Sequence, residues 1–86
     1  MPEISRFYGI IVRMYFNDHN PPHFHVEYQG FRALYEIQTL DILEGSLPKR
    51  AHALVLEWAS LHKGELLKNW ERAIVPEAME KIEPLD

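Results

Sequence analysis

The first half of the chain alternates between apolar and mixed positions, a pattern typical of β-strands. From residue 8 to residue 16 every second side chain is apolar, and several of these residues are β-branched or aromatic. The following segment, NDHNPP, is rich in turn-forming residues and contains two prolines, which cannot lie in a central strand. We therefore expect one strand over residues 8–16 and a turn after it.

Two further alternating runs, HFHVEY and FRALYEI, predict a β-hairpin. They are separated by QG at residues 29–30, and a two-residue loop with glycine in second place suits a tight turn. This loop would place Val26 opposite Ala33 on an apolar face and Glu27 opposite Arg32 on a polar face. A shift by one residue would mix the two faces, so the pattern also predicts the register.

The second half of the chain changes to a helical period. Between Lys49 and about Ala73, apolar residues recur at steps of three and four positions, with both tryptophans on the apolar stripe. Ser46 is placed to cap the start of this helix. Gly64 interrupts the pattern at a cost of about 1 kcal/mol relative to alanine, so it is a point where the helix can bend or split. We expect Trp58 and the second tryptophan, Trp70, in the core.

These elements predict an α+β fold in a single domain over residues 1–86. The segment TLDILEGSLP, between the hairpin and the helix, has room for a short further strand. The simplest arrangement is an antiparallel meander of three to four strands with one long C-terminal helix packed on one face. Such a helix would bury the apolar side of the hairpin and leave the other side open.

The open side of the sheet is expected to be polar. Its residues are Arg13, Tyr15, His23, His25, Glu27, Arg32 and Glu36, with His19 in the loop at its edge. An open antiparallel face can be solvated without any function, held together by cross-strand pairs such as Glu27 with Arg32 and His23 with Glu36. This face nevertheless concentrates groups that ligate metals, bind anions or transfer protons.

The stretch NDHNPPHFHV contains three of the five histidines in the chain. His23 and His25 lie two positions apart on a strand, so both imidazoles can reach one divalent metal ion. His19 or Glu27 would supply a third ligand. This spacing makes a metal-binding protein one of the functions to be tested.

The same face offers groups for acid–base catalysis. The candidate catalytic residues are His23, His25, Arg13, Tyr15 and Glu27. A histidine would act as general acid or base while Arg13 or Arg32 stabilises a phosphate. Endonucleases of the rolling-circle type also use two such histidines, but they need a tyrosine nucleophile, and the predicted helix has none. The sequence alone does not decide whether the protein is an enzyme.

Composition and charge narrow the functional classes. The chain has no cysteine, which excludes thiolate metal sites and fits a reducing cytoplasm. The net charge of −4 disfavours RNA as a partner, because nucleic-acid binders usually present a basic surface. There is no run of about 18 apolar residues and no pattern of a secretory signal. We expect a cytoplasmic protein that does not contact membranes.

Four segments, ISRFYGI, DHNPPHFH, LPKRA and EWA, resemble the bacterial family known as domain of unknown function 4160. The resemblance extends over nearly the whole chain. It implies a small prokaryotic protein, often encoded beside another small protein in the manner of toxin–antitoxin pairs, and no established activity. The first expectation is therefore an interaction module of the toxin–antitoxin type, with a site of histidine, arginine and glutamate residues on the open sheet face. Its partner would be a small protein encoded nearby or RNA. The alternative is a metal-binding protein that uses His23 and His25.

Overall fold

A computed structural model describes residues 3–86 as a five-stranded sheet followed by two helices. The strands are β1 (Glu3–Phe7), β2 (Ile10–Arg13), β3 (His23–Tyr28), β4 (Phe31–Glu36) and β5 (Ile42–Gly45), and the helices are α1 (Lys49–Leu61) and α2 (Lys63–Ile74). All neighbouring strands are antiparallel, and their order in the sheet is their order in the chain. The α+β class and the meander are confirmed. Neither helix is long and apolar enough to cross a membrane.

The predicted hairpin is confirmed in its loop and its register. Glu27 pairs with Arg32, and Val26 pairs with Ala33. Residues 29–30 both have a positive φ, 46° and 86°, as expected for the turns that match the twist of a two-residue hairpin. The alternation therefore places β3 and β4 correctly, including the face to which each side chain points.

The single strand predicted over residues 8–16 is wrong. The chain turns at Tyr8 and Gly9, both with positive φ, and forms a first hairpin in which Phe7 pairs with Ile10. The sequence pattern concealed this turn because Tyr8 is apolar although it lies 58% exposed in the loop. The two-residue loop brings Phe7 and Ile10, three positions apart, to the same buried face of the sheet. This extra hairpin, together with β5 in the segment 39–48, raises the number of strands from the predicted three or four to five.

The single long helix is also wrong, because it is divided at His62. This residue has a φ of −123°, outside the helical region, and its backbone N–H donates to the carbonyl of Ala59. Its Nδ1 lies 2.6 Å from Glu65 Oε1, in the first turn of α2. The second helix therefore starts at its own cap, two residues before Gly64. Ser46 caps neither helix, since the residue at the start of α1 is Pro48.

The core forms where the apolar face of the sheet meets the helices. Trp58 is fully buried, with its ring 5.3 Å from Phe7 and 6.1 Å from Phe24 between centroids. Its indole N–H donates to the carbonyl of Glu83 at 2.8 Å. The C-terminal segment also covers the edge of β1, where the N–H of Ile82 donates to the carbonyl of Ile4. Both tryptophans lie in the core as predicted.

We predict that Trp58→Ala lowers the free energy of unfolding by about 3–5 kcal/mol, because the large ring leaves a cavity between sheet and helix. Denaturant unfolding followed by circular dichroism measures this change. Leu61→Ala is the control, since Leu61 is 68% exposed and its truncation should change stability by less than about 0.5 kcal/mol. Equal stability of the Trp58 variant and the wild type would contradict this account of the core.

Candidate metal centre

Three potential ligands converge where the loop after β2 meets the start of β3. Asp18 lies in that loop, and its Oδ2 is 3.0 Å from Nε2 of His23 and 3.0 Å from Nε2 of His25. One ligand atom from each of the three residues lies within 4.8 Å of the others. The sheet alternation brings the two imidazoles together, with ring centroids 5.2 Å apart, and the loop adds the carboxylate.

The ring of His23 is held in one orientation. Its Nδ1 lies 2.7 Å from the carbonyl oxygen of Pro21, which only accepts hydrogen bonds, so Nδ1 carries the proton. The ring is buried and packs against Trp70 of α2 at 5.2 Å between centroids. In the neutral imidazole the lone pair is therefore on Nε2 and points at Asp18. A backbone acceptor behind the ring is the usual support of a histidine that ligates a metal.

The contact between His23 and Asp18 requires a cation. With Nδ1 protonated, the Nε2 of a neutral His23 is an acceptor, and an ionised carboxylate has only acceptors. Two acceptors 3.0 Å apart repel each other unless a proton or a metal ion lies between them. His25 does not relieve this repulsion, because it meets the same carboxylate oxygen. The group is therefore arranged around one positive charge.

Asp18 is ionised at neutral pH. Burial raises the pKa of its carboxyl group, but the hydrogen bond from His25 and the backbone N–H of His19 lower it, as do the charges of His25 and His23. The net result is a pKa below the usual value for aspartate. A metal ligand must be deprotonated, and this carboxylate meets that condition at neutral pH.

The structure does not bring the other predicted ligands to this group. His19 is exposed, and only its backbone N–H reaches Asp18. Glu27 is ion-paired with Arg13, and this bond holds the pKa of Glu27 below its usual value. Asp18 was missed as a ligand because the segment NDHNPP reads as a turn, in which aspartate commonly has a purely local role. The signal was a carboxylate five positions before the first histidine of a His-x-His pair.

The two histidines differ in exposure, and the expectation that both lie partly open is wrong for His23. Trp70 covers the ring of His23, and the loop before β3 encloses it. His25 is partly exposed, and Tyr15 packs edge-on against its ring at 4.5 Å between centroids. One ligand is therefore sealed inside the fold while the other borders solvent.

The open face of the sheet forms a groove of about 570 Å³ beside His25. Five of the residues predicted for this face line it, namely Arg13, Tyr15, His25, Glu27 and Arg32. The far wall is β5, which lies close to β4 because Gly45 has a φ of 79° and no side chain. A Cβ atom there would lie 2.1 Å from the carbonyl oxygen of Arg32. Glycine is therefore required for the wall to take this position.

The family model described as Domain of unknown function (DUF4160) matches residues 9–71. The chain belongs to this family. The matched part of this DUF4160 protein includes Asp18, His23 and His25, together with the strands that form the groove. No curated protein and no solved structure matches the chain.

The two histidines should respond differently to substitution by glutamine in the metal-free protein. We predict that His23→Gln lowers the free energy of unfolding by about 1–3 kcal/mol, because a buried ring and its hydrogen bond to the carbonyl of Pro21 are lost. His25→Gln should cost no more than about 1 kcal/mol, because its ring is partly solvated. Thermal and denaturant unfolding of both variants measures the contrast. Equal losses would show that Trp70 does not seal the ring of His23.

Proposed function

We propose that this DUF4160 protein binds one divalent ion of a first-row transition metal through Asp18, His23 and His25. The separation of the ligand atoms carries this proposal. Tetrahedral coordination at about 2.0–2.1 Å would place neighbouring ligand atoms about 3.3 Å apart. Asp18 Oδ2 is 3.0 Å from each Nε2, so these two separations need to widen by only a few tenths of an ångström, and all three ligand atoms lie within 4.8 Å of one another. Two imidazoles and one carboxylate suit Zn²⁺ or Fe²⁺ rather than Ca²⁺ or Mg²⁺.

The proposed centre leaves part of the coordination sphere free. Three protein ligands and an open position are typical of metal sites that bind or activate a ligand, whereas structural zinc sites are closed by four protein ligands. The side chains of His23, Asp18 and His25 are 6%, 19% and 27% exposed. His25 is the most exposed of the three and the one that lines the groove, so an open position on its side would face the groove. A water bound there would be polarised by the metal.

The interaction with a small partner protein stays a prediction, and so does the weaker alternative of RNA. The net charge of −4 continues to disfavour RNA as the partner. Co-purification from a prokaryotic host, with and without chelator, tests the partner separately from the metal.

We predict that protein purified without a histidine tag binds one equivalent of Zn²⁺ in a calorimetric titration. Asp18→Asn should weaken this binding at least about tenfold, because the amide removes the negative charge of a ligand. The control is Asp41→Asn, which neutralises an exposed aspartate in the turn before β5. His19→Gln is a second control, since the structure places its side chain outside the group and its affinity should equal that of the wild type.

Two results would count against the proposed centre. In one, Asp18→Asn and the wild type bind Zn²⁺ equally. In the other, His19→Gln loses as much affinity as Asp18→Asn, which would favour His19 as the third ligand.

A further inference from the structure

The groove places an arginine next to the open side of the proposed metal centre. Arg13 on β2 lies directly opposite His25 on β3 in the strand pairing. Side chains paired in this way point to the same face, with Cβ atoms about 4.5–5.5 Å apart. The side chain of Arg13 is 25% exposed and lines the groove. A ligand on the metal would therefore meet this guanidinium.

Arg13 is fixed in place but still has donors to offer. Its Nη1 donates to Glu27 Oε1, two residues beyond His25 on the same face of β3. A guanidinium has five N–H donors, and this bond uses one nitrogen. Among the described residues, no other hydrogen bond of the Arg13 side chain is formed. Glu27 therefore orients Arg13 and leaves its remaining N–H groups for a ligand.

The charge of the groove depends on the metal. Its lining contains two arginines, Arg13 and Arg32, and two glutamates, Glu27 and Glu44, whose charges cancel. A divalent ion held by the single carboxylate of Asp18 adds a net charge of +1 at the end of the groove. An anion is thus attracted to the groove when the metal is bound, and far less when it is absent.

We propose that the metal-loaded protein binds a phosphate group, with one oxygen on the metal and another on Arg13. This inference rests on the proposed metal centre and names the class of ligand that the centre takes. A phosphate has enough oxygens to bind the metal and the planar guanidinium together. A free phosphate and a phosphorylated small molecule share this chemistry, and the groove has room for the remainder of such a molecule.

The test uses the full chain loaded with Co²⁺, whose visible absorption reports changes in coordination. Titration with inorganic phosphate should change the spectrum of the wild type and raise its affinity for Co²⁺, because coupling between two ligands is reciprocal. Arg13→Gln should weaken phosphate binding about tenfold or more, which is the usual effect of losing a charged hydrogen bond. Without phosphate, Arg13→Gln should bind Co²⁺ at least as tightly as the wild type, because a positive charge beside the metal is removed.

Matched variants separate the role of Arg13 from a general loss of charge or of folding. Arg6→Gln removes an arginine that is likewise paired with a glutamate, Glu3, but lies on β1 outside the groove, so phosphate binding should not change. Arg13→Lys keeps the charge without the planar fork and should bind phosphate with intermediate affinity. Thermal unfolding of each variant establishes that it is folded under the conditions of the titration.

The outcomes distinguish this inference from the metal centre itself. If Co²⁺ binds but phosphate has no effect on its spectrum or affinity, the inference about phosphate is overturned and the metal centre stands. Phosphate binding at Arg13 is likewise overturned if Arg13→Gln and Arg6→Gln bind phosphate equally, if metal-free protein binds phosphate as tightly as loaded protein, or if acetate binds as tightly as phosphate. If Co²⁺ does not bind to the wild type, both proposals are overturned.

Discussion

The hydrogen bond between the His23 ring and the carbonyl of Pro21 is the interaction on which the candidate site depends. It places the proton on Nδ1 and directs Nε2 at Asp18, while Trp70 prevents the ring from turning. The loop that supplies both the carbonyl and the carboxylate is tied down on two sides. The carbonyl of Pro22 accepts from the N–H of Ile37, and the N–H of Asn17 donates to the carbonyl of Ala73 in α2. The fold therefore holds this loop rigidly around a small gap between three ligand atoms.

The sheet could be predicted from the sequence where a turn signal and alternation agree. The turn at residues 29–30, together with one polar and one apolar face, allows only one register of β3 against β4. The structure has this register. The hairpin of β1 and β2 could not be distinguished from one longer strand by these signals. Tyr8 takes a positive φ although its side chain gives no signal for a turn, and it resembles the first residue of an alternating strand although it is exposed in the loop. The helix divides at His62, whose φ of −123° lies outside the helical region, and not at Gly64, where the sequence pattern is interrupted.

Only the part of the candidate site that lies on β3 could be predicted from the sequence. Alternation alone places His23 and His25 on the same face, so their proximity follows from local structure. Asp18 and the burial of His23 do not follow from it. The first depends on the path of an irregular loop, and the second on a tryptophan that comes from the last helix. Neither contact follows the period of a strand or helix, because the contacting residues lie on different elements.

X-ray absorption spectroscopy of the zinc-loaded protein tests the metal centre most directly. We expect metal–ligand distances of about 2.0–2.1 Å, with two imidazole nitrogens in the first coordination shell and oxygen in the remaining positions. The imidazole rings should also give the outer-shell scattering typical of histidine. His23→Gln and His25→Gln should each remove one imidazole from this shell. A first shell of oxygen alone, or a spectrum that neither substitution changes, would show that the metal binds elsewhere and would contradict the account.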